Sequence, residues 1–146
     1  MITYQDGNVL DAKEKIIVHG CNAKGVMGSG VAKAIRERWP GAYEAYRKQF
    51  EEKGLELGET IFYLTKENKI IVNAITQKDF GSTGKRFVDY EAIKVALKEV
   101  DDMAKALNYE IAMPQIGAGL GGGDWKKIET IIEETCSQPV TVYLFK

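Results

Sequence analysis

Two apolar periods alternate along this chain. Short β-branched runs give way to stretches with apolar residues three and four apart. Residues 2–4 form the first run, closed by a turn at Asp6-Gly7. Ile16-Ile17-Val18 is apolar without interruption, which suits a strand buried on both faces, and Gly20 is expected to end it. Val31, Ile35 and Trp39 then recur every fourth position, predicting a helix over 29–38 that Pro40-Gly41 stops. A second helix is expected over 42–53, with Tyr43, Tyr46 and Phe50 on one side. Runs at 61–65 and 70–75 read as strands joined by a hairpin at Lys66-Glu67-Asn68. Residues 76–86 read as a loop. Asp89 can cap the helix that follows, whose apolar set Tyr90, Ile93, Leu97, Val100, Ala104 and Leu107 has the spacing 3, 4, 3, 4, 3. A short strand at 111–113, a glycine-rich loop at 114–123, a helix opened by Asp124 and a last strand at 140–145 complete the reading.

Strands alternating with helices predict an α/β fold, a three-layer α/β/α sandwich with helices on both faces of a central sheet of about six strands. The hairpin adds an antiparallel pair, so the sheet is expected to be mixed. Such sheets bind ligands outside the carboxyl ends of their strands. Both glycine-rich loops follow a strand and precede a helix, so both belong at that edge.

The 146 residues suit a single domain over 1–146. Twenty basic residues nearly cancel twenty-one acidic ones, leaving a net charge of -1 and no overall field for nucleic acid. Cys21 and Cys136 lie far apart and form no CxxC unit, as expected of free thiols in the cytoplasm. No run is long and apolar enough to span a bilayer, and no cluster has metal-ligand spacing, so neither membrane, metal nor cofactor is expected.

The chemistry concentrates in the two loops. The first is Gly20-Cys21-Asn22-Ala23-Lys24-Gly25-Val26-Met27-Gly28-Ser29-Gly30. Glycines let a ligand approach the backbone, and the helix that follows offers unpaired N–H groups and its dipole to an anion. The second is Pro114-Gln115-Ile116-Gly117-Ala118-Gly119-Leu120-Gly121-Gly122-Gly123, with five glycines in seven residues. Successive N–H groups there can form an anion nest. Two such loops at one edge suit a diphosphate. No GxxxxGK[ST] occurs, and Gly25-x-x-Gly28-x-Gly30 is not a dinucleotide fingerprint.

At these residues the chain resembles the macro domain family, in particular its branch of ADP-ribose-1''-phosphate phosphatases and terminal ADP-ribose protein glycohydrolases. The matching pieces are Val18-His19-Gly20-Cys21-Asn22, Val26-Met27-Gly28-Ser29-Gly30-Val31-Ala32, Met113-Pro114-Gln115-Ile116-Gly117-Ala118-Gly119-Leu120 and the ending Thr141-Val142-Tyr143-Leu144-Phe145. The resemblance implies an ADP-ribose ligand, free or attached to a macromolecule. It implies a first wall of Asn22, Met27, Gly28, Ser29, Gly30 and Val31, and a second of Gln115, Ile116, Gly117, Ala118, Gly119, Leu120 and Gly121. Phe145 falls beside the adenine, and Asn8 with Val9 stands where many members carry an aspartate for its amino group. The branch's nucleophilic lysine directly after a strand threonine is absent: Thr76 is followed by Gln77, with Lys78 one place later.

Two residues are candidates for chemistry. Asp124 borders the second loop and can activate water, and the same aspartate can simply cap the helix at Trp125. His19, the sole histidine, can serve as an acid–base group or as a hydrogen-bonded structural residue. The expected function is hydrolysis at the distal ribose C1'' of an ADP-ribose derivative, or recognition of ADP-ribose without chemistry.

Overall fold

The computed structural model describes residues 1–80, 86–119 and 121–145. Six strands form one sheet: β1 (Ile2–Asp6), β2 (Ile16–Asn22), β3 (Thr60–Leu64), β4 (Ile70–Gln77), β5 (Ile111–Met113) and β6 (Val140–Leu144). Their order is β1-β6-β5-β2-β4-β3. All neighbours pair in parallel except β3 and β4, the expected hairpin. Helices α1 (Gly30–Arg38), α2 (Pro40–Lys53), α3 (Tyr90–Leu107) and α4 (Trp125–Thr135) supply the outer layers.

Side-chain alternation decides which layer each strand residue meets. Ile16, Val18, Val72, Ala74, Ile111, Met113, Val140 and Val142 face α3 and α4, packing on Ile93, Leu97, Val100, Ile128 and Ile132. The intervening Ile17, Ile71, Ala112 and Tyr143 face α1 and α2, against Ile35, Trp39 and Ala42. β2 and β4 are buried on both faces, as continuous apolar runs require. Asp89 caps α3 by accepting from the Ala92 N–H at 2.9 Å.

The structure corrects three boundaries and adds one turn. β2 does not end at Gly20 but runs on to Asn22. Gly20 is an approach glycine: a Cβ there would lie 2.8 Å from Thr76 Oγ1 on the neighbouring strand. β4 likewise continues through Thr76 and Gln77, which the sequence suggested were loop. α2 begins at Pro40, so the proline that stops α1 also opens α2, where its missing N–H costs nothing. Finally, a single 3-10 turn at Val9–Asp11 follows β1, with Asn8 accepting from the Leu10 N–H at 3.0 Å. No described helix is long and apolar enough to cross a membrane.

Candidate ligand-binding site

A cavity of about 460 Å³ opens at the carboxyl ends of β2, β4 and β5. This lies within the size range of small-molecule sites. One wall is the loop after β2. Asn22 builds it: its Oδ1 accepts from the Lys24 N–H at 2.9 Å, and its Nδ2 donates to Val26 O at 2.8 Å. Tyr46 of α2, fully buried, donates to the same side chain and to Asn22 O. Arg47 donates to Gly25 O at 3.0 Å. Gly25 needs its glycine, with φ at +79° and Phe50 packed where a Cβ would stand. Met27 is buried beneath the loop among Cys21, Tyr46 and Ile75, and so anchors the wall. Gly28, Ser29, Gly30, Val31 and Ala32 then face the cavity, at the N-terminus of α1. Ser29 is the N-cap, yet its hydroxyl makes no capping bond.

The loop after β5 forms the opposite wall, through Pro114, Gln115, Ile116, Gly117, Gly119 and Gly121. Its own backbone folds it: the Ala118 N–H donates to Gln115 O, and the Gly123 N–H to Gly117 O. The N–H groups of Phe87 and Val88 both reach Gly121 O. Ile116 is buried in the core and fixes the loop to the sheet. Gly117, with φ at +78°, packs against Val88, Ile93 and Ile128. Gly119 is different, since among the described residues a Cβ there would meet nothing within 4 Å.

His19, Cys21, Thr76 and Gln77 line the floor, and Phe80, half-exposed, stands at the rim. His19 has no exposed surface, and burial lowers its pKa to about 4. Asn73 settles its tautomer. The Asn73 Nδ2 donates to Ala42 O at 3.0 Å, so its Oδ1 is the acceptor facing His19 Nε2 at 2.6 Å. Nε2 therefore carries the proton, and the ring is neutral at physiological pH. Burial likewise raises the Cys21 thiol far above the range where a thiolate forms. Among the described residues, the lining contains no aspartate, glutamate, lysine or arginine. The described lining offers an anion backbone N–H groups and neutral side chains.

The cavity thus brings together His19, Asn22, Gly28, Ser29, Gly30, Val31, Gln115, Ile116, Gly117, Gly119 and Gly121. Met27 and Ala118 support the walls without lining it, and Leu120 lies outside the described residues. Asn8, Val9 and Phe145 sit apart, further along the same sheet edge, where the Gly7 N–H donates to Leu144 O at 2.9 Å. There Phe145 is 75% exposed and Val9 is buried against the α1 layer. Gln77 and Phe80 were not expected. Their signal is tertiary, because only the pairing of β4 with β2 carries them to the cavity.

Asp124 does not line the cavity. Its carboxylate accepts from the Lys126 N–H at 3.0 Å as the N-cap of α4, and its own N–H donates to the Tyr90 hydroxyl. Asp124→Ala should therefore lower stability by about 1 kcal/mol in urea denaturation, and Asp124→Asn should leave it unchanged. Equal losses in both would refute the cap.

The macro domain family model matches residues 18–132. The ADP-ribose 1''-phosphate phosphatase of Saccharomyces cerevisiae is 30% identical, over 91% of this chain and 92% of its own. The DNA ADP-ribosyl glycohydrolase of Mycobacterium tuberculosis is 31% identical over 88% of this chain, which spans only 37% of that relative. Among solved structures, the macrodomain of Thermus aquaticus DarG superposes with a TM-score of 0.82 at 29% identity, covering 99% of this chain and 98% of that one.

Proposed function

The chain belongs to the macro domain family, and on that premise we propose that it binds ADP-ribose and hydrolyses derivatives substituted at the distal ribose C1''. The observation that carries the reading is the cavity between two backbone-lined loops. The loop at Gly28–Val31 and the N-terminus of α1 take the diphosphate, with N–H dipoles supplying the positive end. The loop at Gln115–Gly121 closes over the distal ribose from the other side. Asn8, Val9 and Phe145, further along the edge, receive the adenine. ADP-ribose-1''-phosphate is the first substrate to test, supported by the phosphatase that matches along nearly its whole length. ADP-ribosylated macromolecules are the second, supported by the name of the glycohydrolase relative. We assign the whole of 1–146 to one such domain, working in the cytoplasm, where its two buried cysteines stay reduced.

The neutral lining shapes the chemistry. With His19 uncharged and Asp124 serving as a cap, the proton of the attacking water passes to an oxygen of the substrate itself. Backbone N–H groups stabilise the charge that develops. Asp124→Asn should accordingly keep turnover as well as binding. A fall of about 100-fold in phosphate release would instead make Asp124 the base. The same neutral lining favours a second reading, a module that recognises ADP-ribose without turning it over. Calorimetry followed by phosphate release from ADP-ribose-1''-phosphate separates the two.

Two binding results are expected. ADP-ribose should bind far better than AMP, because AMP leaves both loops partly empty. Affinity should also stay flat between pH 5 and 9, a window in which neither His19 nor Cys21 changes charge. Equal affinity for AMP would remove the two-loop site. An inflection near pH 6.5 that disappears in His19→Gln would mean that the histidine titrates in contact with ligand.

A further inference from the structure

The ligand site makes no use of the open edge of the sheet at β3. The Ile75 N–H donates to Glu59 O, and the Thr65 N–H donates to Lys69 O, each at 2.8 Å. Hydrogen-bonded positions alternate along an antiparallel strand, so residues 59, 61, 63 and 65 turn their backbone groups toward β4. Thr60, Phe62 and Leu64 turn theirs outward, and β3 is the last strand of the sheet. Exposed edges are usually guarded by lysine, proline or a bulge. Thr60–Leu64 contains neither residue, and its register with β4 is unbroken.

The outward-bonding residues share a face. Phe62 lies opposite Val72, which packs under α3, and Thr60 donates to Glu99 of α3 at 2.8 Å. On this face Phe62 is 39% and Leu64 62% exposed, and Val95 of α3, against Gly58, is also exposed. Backbone donors, backbone acceptors and an apolar strip thus lie open together.

We propose that β3 pairs with β3 of a second copy, antiparallel and centred on Phe62, joining two six-stranded sheets into one. A twofold axis through Phe62 sets Phe62 on its own counterpart and Thr60 opposite Leu64. All three outward positions then find bonding partners, with no residue left over. Lys66, two places beyond Leu64, comes to the end of the strand where Glu99 of the other copy holds Thr60. The helices fit as well. α3 packs on β4, and the two β4 strands would stand three strand spacings apart, about 14 Å. Packed helices need about 8–10 Å, so a slot remains that Phe62, Leu64 and Val95 fill. On the opposite face, Gly41 of α2 lies on the Tyr63 ring, and Ala45 follows one turn later on the same side. Both small residues pack within their own copy, Ala45 against the cluster around Met27 and Tyr46. A foreign strand would take the same backbone bonds, but the match of Glu99 with Lys66 and the self-complementary register about Phe62 favour the chain's own copy. The twofold axis reverses the sheet, so the two cavities open at opposite ends.

Sedimentation equilibrium from micromolar to near-millimolar concentration tests the pairing. The wild type should dimerise. Phe62→Lys, and Leu64→Lys at the most exposed position of the strand, should be monomers with unchanged circular dichroism and melting. The register is tested by Phe62→Cys, which a short bismaleimide should link into dimers. Thr130→Cys, on the exposed face of α4, should stay unlinked. A wild type that is monomeric throughout overturns the proposal and leaves the edge to another strand. So does a dimer that survives both lysine variants, or equal crosslinking at 62 and 130.

Discussion

Gly119→Val is expected to fold like the wild type and to lose ADP-ribose binding by about 100-fold or more, equivalent to about 3 kcal/mol. The expectation rests on where the side chain would go. Gly119 lines the cavity, its φ is not positive, and a Cβ there would meet nothing within 4 Å among the described residues. The valine therefore occupies space reserved for ligand without straining the backbone. Gly28→Val should behave alike, since among the described residues a Cβ there would meet only Val26 Cγ1, at 3.4 Å, an ordinary van der Waals contact. Gly117→Ala is the control of opposite kind. A Cβ there would lie 2.9 Å from Val88 and 3.2 Å from Ile93, at a φ of +78°. That variant should lose stability first, and binding as a consequence. Calorimetry with ADP-ribose beside a urea titration separates the two effects. If well-folded Gly119→Val binds like the wild type, the second loop is not a wall of the site.

The contrast between Gly119 and Gly117 marks how far the sequence could be read. The place of each loop between a strand and a helix put it at the ligand edge, and the glycine count of the second, five in seven residues, exceeds what a reversal needs. It did not distinguish a glycine that leaves room for ligand from one that leaves room for Val88 and Ile93. That difference depends on what packs behind the loop. Gly20 failed for the same reason: it read as the end of a strand, whereas it lies inside β2 and leaves room for the Thr76 hydroxyl and Ile116. Thr76 and Gln77 read as loop because they are polar, yet both continue β4, and Thr76 is fully buried. The amphipathic reading of α3 was sound at Ile93, Leu97, Val100 and Ala104, all fully buried. It missed Asp101, buried on the same helix, whose carboxylate accepts from the Ser137 and Gln138 N–H groups and ties the start of β6 to α3. Periodicity finds the elements of this fold, but contacts between elements set the floor of its site.

His19 carries the last prediction, an acid sensitivity built into the floor of the cavity. Its pKa is lowered to about 4, chiefly by burial and against the opposing hydrogen bond to Asn73. In the unfolded chain it titrates near 6.5. Between these values the unfolded state holds a proton that the folded state does not, so folding stability falls as pH falls through this window. Above pH 6.5 both states are neutral and no penalty applies. By pH 4 the loss approaches about 3 kcal/mol, a large share of the margin of a domain this size. Asp101, whose pKa is lowered from 3.8, acts in a more acidic window. Urea denaturation of the wild type at pH 7, 6, 5 and 4.5 should show the decline. His19→Gln keeps an N–H donor near the position of Nε2 and cannot titrate, so its curve should be nearly flat over the same range. A wild type equally stable at pH 7 and 4.5, or a decline that persists in the glutamine variant, would show that the imidazole does not resist protonation in the fold. The same result bears on function, because a ring that stays neutral down to about pH 4 holds a fixed hydrogen bond to Asn73 beneath the floor and supplies no proton to the reaction.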